Sequence, residues 1–479
     1  MKKILHVASE ATPYASAGGL GDVIGSLPKA LKKTYGDDVD IRVILPLYGS
    51  LAPEYRDELE QVYVTSVPLS WRWQYCGLYS IEKDGVIFYF VDNEYYFKRP
   101  SLYGSFDDAE RYAFFCKAVL ILMQEINYFP DILHAHDWHT ALSVIYLKQH
   151  FKNMPYYEDI KAVFTIHNVA YQGVYGFDIL GDIFDLSPSE ASIVEYNGCI
   201  NLMKGAIVCA DEVTTVSPTY AKELLSPSFS EGLHFILDLY KDKLTGILNG
   251  LDYDYYNPST DESIFKNYSW RSIGRKKENK TALQEMVGLP INEDIPLFAI
   301  VSRLVAHKGI DIIQLAIEEI LSKNIQLVIL GQGDYHYENF FKSLAERYPT
   351  KVRTLLTYNK DLSKRIYAGA DMFLMPSRFE PCGLSQMIAS RYGTVPIIRE
   401  TGGLYDTIRD VGWEGGGNGF TFAAYSPVQL ADAVNRACAY YDDKKAWNEL
   451  VKKVMRVDFS WSKTADMYVN MYDKLLSQK

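Results

Sequence analysis

Glu380 lies in the run Ser377-Arg378-Phe379-Glu380-Pro381-Cys382-Gly383-Leu384, directly after the apolar stretch Met372–Met375 and Pro376. A carboxylate is thus delivered at the carboxyl end of a strand, where open α/β sheets bind their ligands. Alone, Glu380 reads equally well as an acid in the first turn of a helix, complementing its dipole. Other pieces at corresponding places favour a ligand. Arg303 and Lys308 flank a loop after the apolar run Pro296–Val301, and two cations there suit a diphosphate. Tyr358, after the run Val352–Leu356, offers a face on which a flat base can stack. Thr401-Gly402-Gly403, after Val395–Ile398, supplies a turn whose backbone N–H groups suit an anion.

The first half of the chain carries three further pieces. The loop Ser16-Ala17-Gly18-Gly19-Leu20-Gly21-Asp22 leaves the first apolar run and enters a helical pattern, so its glycines predict a turn that lets phosphate approach the backbone. Its spacing matches neither a dinucleotide fingerprint nor a P-loop. Asp131-Ile132-Leu133-His134-Ala135-His136-Asp137-Trp138-His139 invites a metal reading, but His134 and His136 share one strand face while His139 lies past the turn. A polar strand end is therefore expected, and no metal. His167 and Asn168 end another apolar run, and both side chains hydrogen-bond sugar hydroxyls directionally.

Parallel βα units must position these groups, because short apolar runs alternate with longer helical patterns along nearly the whole chain. Strands are predicted at Ile4–Ala8, Ile41–Leu45, Val86–Val91, Ile132–His134, Ala162–Thr165 and Val213–Val216. A second series is predicted at Leu244–Leu248, Pro296–Val301, Gln326–Leu330, Val352–Leu356, Met372–Met375 and Val395–Ile398. The expected architecture is α/β, with two doubly wound domains facing each other across a cleft. The expected boundaries are 1–245, 246–455, and a terminal helix over 456–479 that packs back on the first domain.

At 479 residues the chain exceeds one ordinary core. A formal net charge of −11 argues against general affinity for nucleic acid or anionic lipid, so phosphate must be met by local cations. The 37 tyrosines suit sugar rings as well as core packing. Six scattered cysteines, with no CxxC, read as reduced thiols in a cytoplasmic protein. The N-terminus runs straight into a buried strand rather than a signal peptide, and no apolar run is long enough to span a bilayer.

Taken in order, these pieces resemble bacterial glycogen synthases and plant starch synthases, retaining glucosyltransferases of the GT-B fold. The resemblance covers the whole chain. It includes Arg99-Pro100-Ser101-Leu102-Tyr103-Gly104, Val216-Ser217-Pro218-Thr219-Tyr220, Asn249-Gly250-Leu251-Asp252 and Asp458-Phe459-Ser460-Trp461 beside the motifs above. It implies transfer of glucose from ADP-glucose to the non-reducing end of an α-1,4-glucan such as glycogen, without metal or cofactor. It makes Arg303 and Lys308 the diphosphate cations, turns Glu380 to the donor glucose and Tyr358 to adenine. It also makes His167 a glucose ligand and sets Asp137 near the reacting centre. Ser16, Gly18, Gly19, Asp22, Tyr96, Asn168, Asn249, Cys382, Gly383, Leu384, Thr401, Gly402 and Gly403 complete the implied substrate-binding set. One departure stands out: the family's loop usually carries lysine where this chain has Ser16. That difference raises two alternatives, a synthase preferring UDP-glucose and a non-catalytic glucan-binding or regulatory relative.

Overall fold

A computed structural model describes residues 1–478 as two compact units, 1–250 with the terminal helix and 251–460. The first unit is built on a nine-stranded sheet. Its strands are β1 (Lys2–Val7), β2 (Val39–Pro46), β3 (Glu60–Leu69), β4 (Arg72–Lys83), β5 (Val86–Asp92), β6 (Ile132–His136) and β7 (Lys161–Ile166). A small three-stranded sheet follows, of β8 (Val174–Tyr175), β9 (Glu195–Tyr196) and β10 (Cys199–Asn201). β11 (Glu212–Thr215) and β12 (Leu244–Gly246) return to the large sheet, whose order is β12-β11-β7-β6-β1-β2-β5-β4-β3. The strands from β12 to β5 in that order pair in parallel, as runs buried on both faces do.

Beside the small sheet and the second unit's edge strand Phe420–Phe422, neither of them predicted from the sequence, two features of the first sheet depart from the sequence reading. β3 and β4 form an antiparallel hairpin that extends the sheet beyond β5. β12, read as opening the second series, pairs in parallel with β11 and so closes the first sheet.

The second unit carries a six-stranded parallel sheet of order β15-β14-β13-β16-β17-β18. Its strands are β13 (Leu297–Val301), β14 (Gln326–Leu330), β15 (Val352–Leu355), β16 (Met372–Met375), β17 (Val395–Arg399) and β18 (Phe420–Phe422). Among the parallel strands of each sheet the order reverses at one place, between β1 and β6 in the first and between β13 and β16 in the second. Such switch points leave a crevice at the strands' carboxyl ends.

Two helices frame the first switch point. The helix Gly19–Tyr35 turns Leu20, Val23, Ile24, Leu27 and Leu31 inward at helical spacing. A Cβ on its Gly25 would lie 2.4 Å from the Thr12 carbonyl oxygen, so only glycine allows the helix to approach the loop after β1. The terminal helix Trp461–Ser477 belongs to the same unit and buries Trp461, Ala465, Tyr468, Tyr472 and Leu475. It packs on the helix Gly19–Tyr35, where the Tyr35 hydroxyl donates to the Val469 carbonyl at 3.3 Å.

Candidate active site

The residues at the first switch point are held by one another. Glu10, just after β1, is only 4% exposed. One carboxylate oxygen accepts from the backbone N–H of Ala17 at 2.6 Å and of Gly18 at 3.0 Å, and the other accepts from the Tyr103 hydroxyl at 2.6 Å. Asp137, just after β6, takes a φ of 59°, a conformation that costs energy for a residue other than glycine. That turn aims its Oδ1 at the N–H groups of His167, 2.8 Å away, and Asn168, 3.3 Å away. Burial pushes the Asp137 carboxyl up to about 7, against those two donors and with help from nearby Glu10.

Behind Asp137 lies a cluster of imidazoles. His6 on β1 pairs in register with His134 on β6. His6 Nδ1 lies 3.1 Å from His136 Nε2, and His136 Nδ1 lies 3.0 Å from His167 Nε2. His134 is bonded at both nitrogens, to the Tyr472 and Thr165 hydroxyls, each at 2.6 Å. Burial holds all four rings neutral: His6 and His167 fall to about 3, and His134 and His136 well below the ordinary value. His6, His134 and His136 are near enough to share an ion. With both His134 nitrogens committed to hydroxyls, ligation by either would cost one of those two bonds.

At the second switch point, Arg303 and Lys308 follow β13 while Ser377 and Glu380 follow β16. Gly309, at a φ of 81°, lets this turn close on the end of β16, since a Cβ there would lie 2.2 Å from the Pro376 carbonyl oxygen. Lys308 Nζ then reaches Glu380 Oε2 at 2.7 Å, and Ser377 Oγ donates to the same oxygen at 3.0 Å. The helix after β16 starts only at Ser385, so Glu380 is not in its first turn. Arg303 is exposed, and its guanidinium makes no hydrogen bond to protein among the described residues. Tyr358 is 77% exposed, its ring face open.

Several expected ligand contacts take another form. Tyr96 has a fully buried ring, and its hydroxyl donates to Glu110 at 2.6 Å, so it belongs to the core and not to a binding surface. The Gly403 N–H donates to the carbonyls of Glu380 and Pro381, both at 3.1 Å, and is not free for an anion. Gly402 and Gly403 are instead required by close approach, because a Cβ would meet the Glu380 or Cys382 carbonyl at 2.1 or 2.2 Å. Gly18 and Gly19 need no such tolerance: a Cβ on either meets nothing within 4 Å, so the loop is open, although the Gly18 N–H is taken by Glu10. Asp22 accepts from Thr12 at 3.3 Å, and Asn168 from the Ala170 N–H at 3.0 Å. Asn249 and Cys382 are buried, Gly383 takes a φ of 74°, and Leu384 is half-buried. Glu10 and His6 were not singled out from the sequence. Glu10 carried the same signal as the rest, a polar residue directly after an apolar strand, whereas His6 lies within its strand.

Residues 3–238 match the family described as starch synthase catalytic domain, and residues 283–454 match glycosyl transferases group 1. The chain is 45% identical to a glycogen synthase of Geobacillus thermodenitrificans over 100% of its own length and 98% of that protein. The chain belongs to the glycogen and starch synthase family. A glycogen synthase of Desulforamulus reducens is 46% identical over 99% of each chain. The catalytic domain of starch synthase IV from Arabidopsis thaliana, bound to ADP and acarbose, superposes with a TM-score of 0.91 at 35% identity, over 100% of both chains. A sucrose-phosphate synthase from Thermosynechococcus elongatus, at 17% identity and a TM-score of 0.63, shares the fold. As a member of this family the chain is a glycosyltransferase of GT-B architecture. Among the described residues no helix is long and apolar enough to cross a membrane.

Proposed function

We propose that this glycosyltransferase is a cytoplasmic glycogen synthase that moves glucose from ADP-glucose to the non-reducing end of an α-1,4-glucan, with retention of configuration. The observation that carries the reading is the convergence of Arg303, Lys308 and Glu380 at the β13/β16 switch point. Lys308 has three N–H donors and gives one to Glu380, which leaves two for a phosphate, and Arg303 adds a fork suited to the same group. These cations meet the charge that develops on a departing diphosphate. Glu380 takes the donor sugar, the open face of Tyr358 takes the adenine, and His167 takes a glucose hydroxyl. The ADP bound to the similar Arabidopsis catalytic domain supports the adenine donor.

In this reading the bond from the anomeric carbon to the diphosphate breaks as the bond to the acceptor's 4-hydroxyl forms on the same face. The departing phosphate takes the hydroxyl proton. Asp137 is a poor candidate for a covalent nucleophile. Its Oδ1 is held by two backbone donors, and its carboxyl, raised to about 7, is substantially protonated at neutral pH. Ser16 favours a second reading, altered donor choice or a regulatory relative, because the family lysine is missing from the glycine loop.

Side-by-side transfer from ADP-[14C]glucose and UDP-[14C]glucose into glycogen tests both readings. Label entering α-1,4 linkages faster from ADP-glucose is the expected result. Faster transfer from UDP-glucose means changed donor choice, and no transfer from either overturns the synthase reading.

A further inference from the structure

We propose that the buried end of an imidazole chain, running from His6 through His136 to His167, fixes the tautomer of His167 so that His167 presents an Nδ1–H donor to the sugar. The sugar contact rests on the function proposed above; the tautomer rests on the hydrogen-bond chain alone. Three neutral imidazoles are joined by two hydrogen bonds, His6 Nδ1 to His136 Nε2 at 3.1 Å and His136 Nδ1 to His167 Nε2 at 3.0 Å. A neutral imidazole has one donor and one acceptor nitrogen, so the chain has only two polarities.

In one polarity His6 donates from Nδ1, His136 donates from Nδ1, and His167 accepts at Nε2 and carries its proton on Nδ1. In the other every proton lies on Nε2, and the His6 proton then points away from the chain. His6 Nε2 decides between them. It is fully buried and has no hydrogen-bond partner among the described residues. An unpartnered buried N–H is the rarer and costlier orphan, so Nε2 is the bare nitrogen and Nδ1 the donor.

Nothing else in the cluster opposes that choice. The His134 ring lies tilted against His136 with centroids 4.2 Å apart, but its own nitrogens meet hydroxyls, which donate or accept as needed. At the far end, His167 Nδ1 has no hydrogen bond to protein among the described residues, and the His167 ring is only half-buried. A group fixed as a donor distinguishes a sugar hydroxyl's lone pairs from its proton, which is how such a contact orients a ring.

Selective 15N-histidine labelling of the full chain reads the tautomers directly through long-range 15N–1H correlations. His167 is assigned by the signal lost in His167→Asn. In the wild type His167 is expected to show a protonated Nδ1 and a bare Nε2. In His6→Leu the unpartnered buried nitrogen becomes His136 Nε2, which by the same rule stays bare, so His167 is expected to keep its Nδ1 proton. His6→Asp offers an acceptor alone and draws the proton to His136 Nε2. There His167 is expected to shift toward Nε2–H, and kcat with ADP-glucose and glycogen to fall about ten-fold, with KM for the donor changed less. A wild-type His167 protonated on Nε2 overturns the proposal, and that spectrum decides even if His6→Leu does not fold. A His167 that moves to Nε2–H in a folded His6→Leu, or that keeps its Nδ1 proton or its kcat in a folded His6→Asp, also overturns it. If the tautomers behave as expected while the wild type transfers no glucose, the chain polarity stands and the synthase reading falls.

Discussion

Glu380 accepts from both Lys308 and Ser377 while only 7% exposed, so its removal strands a lysine cation beside a buried hydroxyl. Glu380→Ala is therefore expected to lose about 1–3 kcal/mol of stability along with transfer. Glu380→Gln keeps an acceptor for both partners and is expected to melt near the wild type while transfer falls by about two orders of magnitude or more. Melting curves and label transfer on the two variants separate the roles, and near-full activity in the glutamine variant would leave Glu380 a merely structural anchor. Ser16 poses the opposite question. It is exposed, and its Oγ and the Glu10 carboxylate both lie against Gly21, 2.8 and 3.2 Å from where a Cβ would stand. Lysine at this place has open solvent and an acid nearby, so Ser16→Lys is expected to raise kcat/KM for ADP-glucose about ten-fold. A neutral or harmful effect would show that the loop has been rebuilt around serine and Glu10.

The terminal helix Trp461–Ser477 acts as an element through hydrogen bonds as well as its apolar stripe. Tyr472 brings its hydroxyl to His134 Nδ1 at 2.6 Å, beneath the imidazole cluster. Tyr472→Phe leaves that nitrogen without its partner, and urea unfolding is expected to show a loss of about 1–2 kcal/mol. ADP affinity by calorimetry is expected to stay unchanged, since Arg303 and Lys308 belong to the other unit. Weakened ADP binding at unchanged stability would instead give the helix a part in donor binding. The helix was legible in the sequence because Trp461, Ala465, Tyr468, Tyr472 and Leu475 repeat at helical spacing. The parallel strands were legible for a similar reason, each being a short apolar run closed by a polar residue. The hairpin β3–β4 was not. Trp73 and Tyr75 stand exposed on β4, where a half-buried strand would carry polar residues, so the alternation that marks such a strand is blurred. Nor does a three-residue run such as Leu244–Gly246 reveal which sheet it will join, because its pairing with β11 is a tertiary choice. The same limit separates Tyr95 from Tyr96. The two tyrosines are adjacent in sequence, yet the first is 66% exposed and the second fully buried.

Across the whole molecule the buried histidines are unevenly divided, and that division sets how the chain meets acid. Buried His6, His134, His136 and His139 and half-buried His167 all lie in the unit 1–250, and loss of solvent holds each below its ordinary value. In the unit 251–460 only His307 is shifted down, and it is half-buried. A base whose folded value is depressed contributes stability that is present above its unfolded value, near 6.5, and is lost as pH falls below it. Below that point the unfolded chain takes up a proton at each histidine that the folded chain refuses. Each such site then costs about 1.4 kcal/mol per pH unit. Asp137 works the other way. Its carboxyl is raised to about 7 in the folded chain, so folding favours its proton between the ordinary carboxylate range and neutrality, and its contribution falls as pH rises through 7. One such group offsets only one of the five histidines. The two units are therefore expected to part company on acidification, with the first losing stability steeply from about pH 6.5 downward. Hydrogen exchange at pH 5 and pH 7.5, corrected for the intrinsic rate, is expected to show protection falling in β1, β6 and β7 while β13, β14 and β16 hold theirs. Equal loss in both sheets would mean that acid acts through carboxylates spread over the chain and not through this cluster. His139→Phe refines the test, because it removes one proton-refusing group away from the His6–His136–His167 chain. The slope of stability against pH is then expected to fall by about 1.4 kcal/mol per unit, whatever the substitution does to stability at neutral pH.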